Sequence, residues 1–377
     1  MRGKKVIVEP RIGKPLPRIV QPMDRPVTPR IDARVTTARQ SSRLNMSSMS
    51  TLPDLPDLSD ESPSRFDQVA AEFSNAKNPD MVLNALHSFQ VAAAAIADDG
   101  EFRSNDMISY KKIHNTLTKL LENPQAPFLV PLASGLRSII AASTSNNEPF
   151  YHFLSKVLFK LSADKNNDSF FEDNSLCNFI IGSTNSKHKV ETRVYSVVTL
   201  KNASHSANFR KMLQSSINFR MLFDLFEDNS PKAVQLLTQL TQLFRSIIQD
   251  PSGVTLLVSN DIQLRLFETA KVYTKEADLV FNVFRIMTHL SSMTHVQASI
   301  LQSFEPMGTA EIMLNVIKLH QTNSNIIARV GYVFSDFTSN ESFLDTAHEA
   351  DLLILTETLP VCGSTEATAM LLQVIAN

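Results

Sequence analysis

Nine histidines, two cysteines and scattered acids are the residues of this 377-residue chain with the means for covalent or metal chemistry. Metal ligation on a helix needs side chains three or four residues apart, so that they share a face. His289 and His295 stand six apart and miss that spacing. Asp98-Asp99 and the acids between Asp57 and Glu61 lack the glycine-containing loop that folds around calcium. Cys177 and Cys362 lie far apart and read as two reduced thiols, in core or on surface, of a cytosolic protein. No G-x-G-x-x-G, Walker A, H-E-x-x-H, G-x-S-x-G or C-x-x-C run occurs. The chain is therefore expected to be no enzyme, with no cofactor and no resident metal.

What remains is recognition by rows of side chains. Asn325 to Asn340, NIIARVGYVFSDFTSN, places Val330, Val333, Phe334 and Phe337 at the three- and four-residue spacing of a buried helix stripe. Arg329, Tyr332 and Asp336 fall on the other face. The same pattern recurs with anchors Leu161, Ala203, Ile247, Leu290 and Phe337, which subtraction spaces 42, 44, 43 and 47 residues apart. A period in the low-to-mid forties is that of armadillo or HEAT repeats. The residues one, five and eight before each anchor share the exposed face. They are Lys160, Lys156 and Phe153; Asn202, Val198 and Tyr195; Ser246, Gln242 and Gln239; His289, Arg285 and Asn282; and Asp336, Tyr332 and Arg329. One reading is a solvated helix face. The sharper one is a groove gripping an extended or helical partner segment. Its candidate residues are Lys156, Lys160, Tyr195, Asn202, Gln242, Ser246, Arg285, His289, Arg329, Tyr332 and Asp336.

The elements that hold these rows follow from the punctuation. Few glycines, 9 in all, argue against Rossmann, P-loop and all-β folds. No run of eighteen apolar residues is present, so no membrane helix is expected. The basic N-terminus lacks the apolar stretch of a signal peptide. Asn78-Pro79-Asp80 starts a helix that stops at Asp99-Gly100. Helical stretches follow at about 107–122 and 130–143. From Pro149 a cycle of short first, three-turn second and longer third helix repeats. Its first and second helices include ANFRKMLQ with INFRMLFDLF, GVTLLVS with IQLRLFETAKVY, HVQASILQS with AEIMLNVIKLH, and SFLDTAHE with DLLILTETL. Stacked units bury what one unit alone cannot. The predicted fold is all-α, a right-handed armadillo-type solenoid with three helices per repeat over 65–377. A sixth anchor would fall just after Asn377, so the solenoid is expected to continue or to be capped by a partner.

Residues 1–64 are a different material, with nine of the eighteen prolines and Pro-Arg-Ile three times, from Pro10, Pro17 and Pro29. Proline removes amide donors, so an extended, partly polyproline-like arm is expected. Residues 1–43 carry 11 Lys and Arg against 3 acids, a charge of +8, which leaves −10 for the rest of a chain of net charge −2. Arg2, Lys4, Lys5, Arg11, Lys14, Arg18, Arg25, Arg30, Arg34, Arg39 and Arg43 are the candidate contacts to an acidic surface. The plainer reading is a solubilising tail. An acidic, proline-broken stretch, LPDLPDLSDESPS, follows and reads as a linker or short docking motif. With no aromatic among residues 1–43, base stacking on single strands is not supported.

Two stretches carry a narrower resemblance. VLFKLSADKNNDSFFEDNSL, Val157 to Leu176, is similar to the repeat of the armadillo repeat-containing protein two family, with its K-L-S-x-x-x-x-N-D run and D-N cap. NIIARVGYVFSDFTSNES, Asn325 to Ser342, resembles that family's R-x-x-x-x-L-x-N-L-T-x-x-N repeat, with Phe334, Asp336 and Phe337 in place of Leu, Asn and Leu. RIDARVTTARQSSRL, Arg30 to Leu44, is loosely like its N-terminal E-A-R-x-x-L-R segment. The resemblance implies a non-catalytic scaffold of the ciliary or flagellar axoneme, engaged with radial-spoke or adaptor subunits. The acidic microtubule surface would suit the +8 arm as a partner. The alternative is a cytosolic armadillo adaptor in signalling or transport. Import receptors of the armadillo fold carry Trp-x-x-x-Asn pairs on these helices. This chain has no tryptophan; Lys156, Val198, Gln242, Arg285 and Tyr332 stand at those positions and only Asn202 keeps the Asn. A basic-peptide receptor is thereby disfavoured.

Overall fold

The computed structural model describes residues 63–122, 124–142, 148–228, 233–341, 343–344 and 353–377. The predicted arm, most of the acidic linker and most of SFLDTAHE lie outside them. No strand occurs among the described residues.

The helices run α1 Asp67–Asn75, α2 Pro79–Asp99, α3 Ser104–Lys119, α4 Ala126–Ala142, α5 Glu148–Ser162, the single turn α6 Asp168–Phe171, α7 Asn174–Gly182, α8 Val190–Ala203 and α9 Ala207–Gln214. They continue as α10 Ala233–Ile247, α11 Pro251–Val258, α12 Ile262–Val272, α13 Ala277–Leu290, α14 Thr294–Phe304, α15 Pro306–Leu319, α16 Ser324–Phe337, α17 Leu353–Thr358 and α18 Thr365–Ala376. Capping follows side-chain chemistry. The Asn78 side chain accepts from the Met81 amide at the start of α2, and Gly100 closes that helix at φ 67°, where other residues pay a steric cost. Asp173 caps α7 through the Leu176 amide at 2.8 Å. Asn323 caps α16 through the Ile326 amide.

The long third helices form one layer. Each of α5, α8, α10, α13, α16 and α18 packs on the next, and α4 continues the layer before α5. All five anchors are buried, from 0% to 1% exposed, so the period marks core positions. The fold is an α-solenoid. One element departs from the expectation. INFRMLFDLF is not an α-helix but two 3-10 turns, Phe219–Leu222 and Asp224–Glu227. Arg265 Nη1 donates to the Phe223 carbonyl at 3.1 Å and Tyr273 Oη donates to the Asp228 carbonyl at 3.1 Å. The next repeat thus bonds main-chain oxygens in and just after this stretch, whose backbone closes by the tighter i to i+3 bonds, with the Phe223 carbonyl accepting from both Arg265 and the Phe226 amide.

Candidate functional site

The residue just before an anchor was expected to face a ligand. In three of the rows it instead bonds the residue just after the previous anchor. Asn202 Nδ2 donates to Ser162 Oγ at 3.1 Å, Ser291 Oγ donates to the Asp336 carboxylate, and Asn377 Nδ2 donates to Thr338 Oγ1 at 2.7 Å. This row joins neighbouring third helices. Asn202 is fully buried, and Ser246 in the same row is buried as well, while Lys160 is half-buried and His289 exposed. The expected solvated face is therefore corrected for Tyr195, Asn202, Ser246 and Arg329, all buried. Helices stacked in contact cover the flanks of the face that a lone helix would leave to water.

A second register runs diagonally, from five or two residues before one anchor to eight or five before the next. Lys156 Nζ lies 6.0 Å from the Tyr195 ring centroid. Lys201 Nζ donates to Gln239 Oε1 at 3.3 Å and to Gln242 Oε1 at 3.4 Å. Arg245 Nη1 donates to Asn282 Oδ1 at 2.7 Å. Burial lowers the Lys156 pKa, against the opposing pull of Glu191.

Along this diagonal three arginines meet on three successive helices, Arg245 on α10, Arg285 on α13 and Arg329 on α16. The half-buried Arg285 guanidinium lies 6.0 Å from the Phe281 ring centroid. Arg329 is only 8% exposed, 5.7 Å from the Tyr332 ring, with Nη2 3.6 Å from Glu366 Oε1. Its buried Nε has no hydrogen-bond partner. Burial, then the charges of Arg285 and Arg329, push Arg245 down to about 9. Burial and then Arg329 pull Arg285 down as well. Arg245 still remains a cation at neutral pH. Arg245 escaped the sequence reading because it lies two residues before its anchor, outside the three positions chosen. The signal was present: arginine two, five and eight before successive anchors is a diagonal row.

At the other end, His152 on α5 shares its Nδ1 with Thr192 Oγ1 at 3.1 Å. Burial and then Lys156 push its pKa down to about 4, against the raising effect of Glu148 and Glu191 and with a further lowering by Lys189. An unfolded histidine titrates near 6.5. Between those values the unfolded chain binds a proton that the folded chain refuses, so stability falls as pH drops through that window. His152→Asn keeps a polar partner for Thr192 and removes the titration. Its loss of melting temperature between about pH 7 and about pH 5 should be smaller than the parent's, by an amount worth about 2 kcal/mol. Equal losses in thermal melts would refute this. The remaining thiols are inert: Cys177 and Cys362 are buried, and burial followed by Asp173 pushes Cys177 up to about 12.

Among the described residues no three of His, Cys, Asp and Glu come together as a metal site, and no helix is long and apolar enough to cross a membrane. The eleven basic residues predicted for the arm lie outside the described residues.

A layer of stacked third helices with polar side chains between them is the build of a repeat-type, protein-binding scaffold. A relative that matches is armadillo repeat-containing protein 2 from Bos taurus, 22% identical over 200 residues, which are 50% of this chain and 23% of the bovine protein. The resemblance read from Val157–Leu176 and Asn325–Ser342 thus has a counterpart in a curated relative, less than a quarter of whose length the match spans. No family model matches. Among solved structures, the crystal structure of an engineered protein aligns over 83% of this chain and 78% of its own, with a TM-score of 0.50 at 12% identity, a likeness of fold alone.

Proposed function

We propose that the protein is a non-catalytic scaffold of cilia or flagella, binding axonemal partners such as radial-spoke or adaptor subunits through its third-helix layer. The observation that carries the scaffold reading is the unbroken layer from α5 to α18. It fixes the half-buried Lys156, Gln242, Arg285 and Tyr332 by neighbours on adjacent or the same helix, so that a partner would meet side chains already held in place. The ciliary setting is supported by the sequence similarity to armadillo repeat-containing protein 2. The +8 arm, from Arg2 to Arg43, would follow an acidic surface such as the microtubule.

A tagged chain should locate to the axoneme and travel with spoke components. Diffuse cytoplasmic signal with adaptor or transport proteins as companions would favour a cytosolic adaptor. For the arm, the whole chain should co-sediment with microtubules and lose that binding as salt rises past about 0.15 M, where charges are screened beyond about 8 Å. A chain lacking residues 1–62 should stay in the supernatant. Pelleting that ignores salt, or survives removal of the arm, would eliminate the electrostatic role.

A further inference from the structure

We propose that Arg245, Arg285 and Arg329 together form a receptor for an acidic segment of a partner protein, whose Asp or Glu carboxylates seat on the guanidinium groups. The proposal rests on the scaffold reading in taking the ligand to be protein.

Three cations sit on adjacent helices α10, α13 and α16, and among the described residues Glu366 is the one carboxylate within ion-pair distance of any of them. Like charges brought together in a partly buried place raise the energy of the free protein, and an incoming anion relieves it. Arg329 adds a specific vacancy in hydrogen bonding, a donor Nε that is buried in a side chain 8% exposed and unmatched. A buried donor without a partner is costly, and with Glu366 Oε1 beside it also unmatched, this guanidinium is not fully satisfied within the free protein. Guanidinium is a planar fork that takes a carboxylate through two parallel bonds. The rings of Phe281 and Tyr332 beside Arg285 and Arg329 give the apolar stems of Glu side chains a surface to lie on. Packed helices stand about 10 Å apart, so the two steps of the diagonal span about 20 Å. An extended segment covers that in about six residues at about 3.3 Å each. Acids about three residues apart would match it.

The test uses the whole chain and a fluorescein-labelled hexaglutamate, which offers every acid spacing, with hexaglutamine as its uncharged twin. The basic arm also attracts polyanions, so the decisive quantity is the part of binding that depends on Arg285. In fluorescence anisotropy, Arg285→Gln should weaken hexaglutamate binding about tenfold, while Lys318→Gln at an exposed position should leave it unchanged. Arg285→Gln should also melt at or above the parent's temperature, because Arg285 donates no hydrogen bond among the described residues and its removal eases the repulsion. Equal hexaglutamate affinity in Arg285→Gln and parent overturns the proposal. So does binding of hexaglutamine as tight as hexaglutamate, tighter Arg285-dependent binding of a single-stranded oligonucleotide, or a lowered melting temperature. Partner capture by the whole chain separates the two readings. If Arg285→Gln still captures the parent's partners, the acidic receptor falls and the scaffold stands. If no partner is captured while hexaglutamate binding depends on Arg285, the carboxylate site stands, but the scaffold reading falls and takes the protein ligand with it.

Discussion

Phe244→Ala is expected to destabilise the protein by about 3–5 kcal/mol, the range for removing a fully buried aromatic side chain. Phe244 is 0% exposed on α10, and its ring centroid lies 6.4, 5.5 and 5.9 Å from those of Phe219, Phe223 and Phe226. Those three sit in and between the 3-10 turns, which have poor backbone geometry of their own and too little length to persist without packing. Removing the ring therefore leaves a cavity and also takes away what the turns fold against. In a solenoid each repeat is supported by its neighbours, so the loss should spread to α8 and α13. Urea unfolding should show the lowered stability, and hydrogen exchange should show the amides of 219–227 losing protection first. A variant within 1 kcal/mol of the parent, or turns as protected as before, would show that Phe244 does not hold this repeat together. Val272→Ala, at 44% exposure, is the control and should move stability by less than about 0.5 kcal/mol.

That turn also marks where the sequence stopped being legible. Phe219, Leu222, Phe223 and Phe226 stand at the three- and four-residue spacing of an amphipathic helix. Their burial agrees with that stripe, because two 3-10 turns in succession present almost the same residues to the core. What holds the turns from outside is the donation of Arg265 and Tyr273, some 40 residues on, to the Phe223 and Asp228 carbonyls. No local pattern contains that. The anchors were legible because a core position depends chiefly on its own helix and its period. The polar rows were legible only as rows. Asn202 and Asp336 fall in one row by their spacing, yet whether such a side chain meets a ligand or the previous helix depends on the offset between stacked helices. Ser162 and Ser291, which receive and make those bonds, became meaningful once that offset was known. The mixed charge seen along single helices likewise hid Arg245, Arg285 and Arg329, which meet only across three of them.

Gly253→Ala is expected to cost about 2–3 kcal/mol, although it adds one methyl group to a helix, where alanine ordinarily gains over glycine by about 1 kcal/mol. Propensity and packing therefore predict opposite signs, and the geometry decides. Gly253 lies in the first turn of α11, three residues after Asp250, where the chain leaves α10. A β-carbon there would stand 2.1 Å from the Ile247 carbonyl oxygen and 2.9 Å from both its carbonyl carbon and Cγ2. A side-chain tip could swing aside, but this oxygen belongs to the last residue of α10 and accepts from the Asp250 amide at 3.2 Å. Relief therefore requires moving the corner itself. That corner carries the Asp250 carboxylate, paired with Arg210 Nε at 2.7 Å from the preceding repeat, so its displacement also loosens a contact between repeats. Because the strain is at the α10–α11 joint, Gly253→Ala should lower stability while Gly182→Ala should not, since nothing lies within 4 Å of a β-carbon at Gly182. Parallel urea melts of the two variants decide it. If Gly253→Ala matches or exceeds the parent, helix propensity has won and the close approach of α11 to Ile247 is not a constraint on the fold.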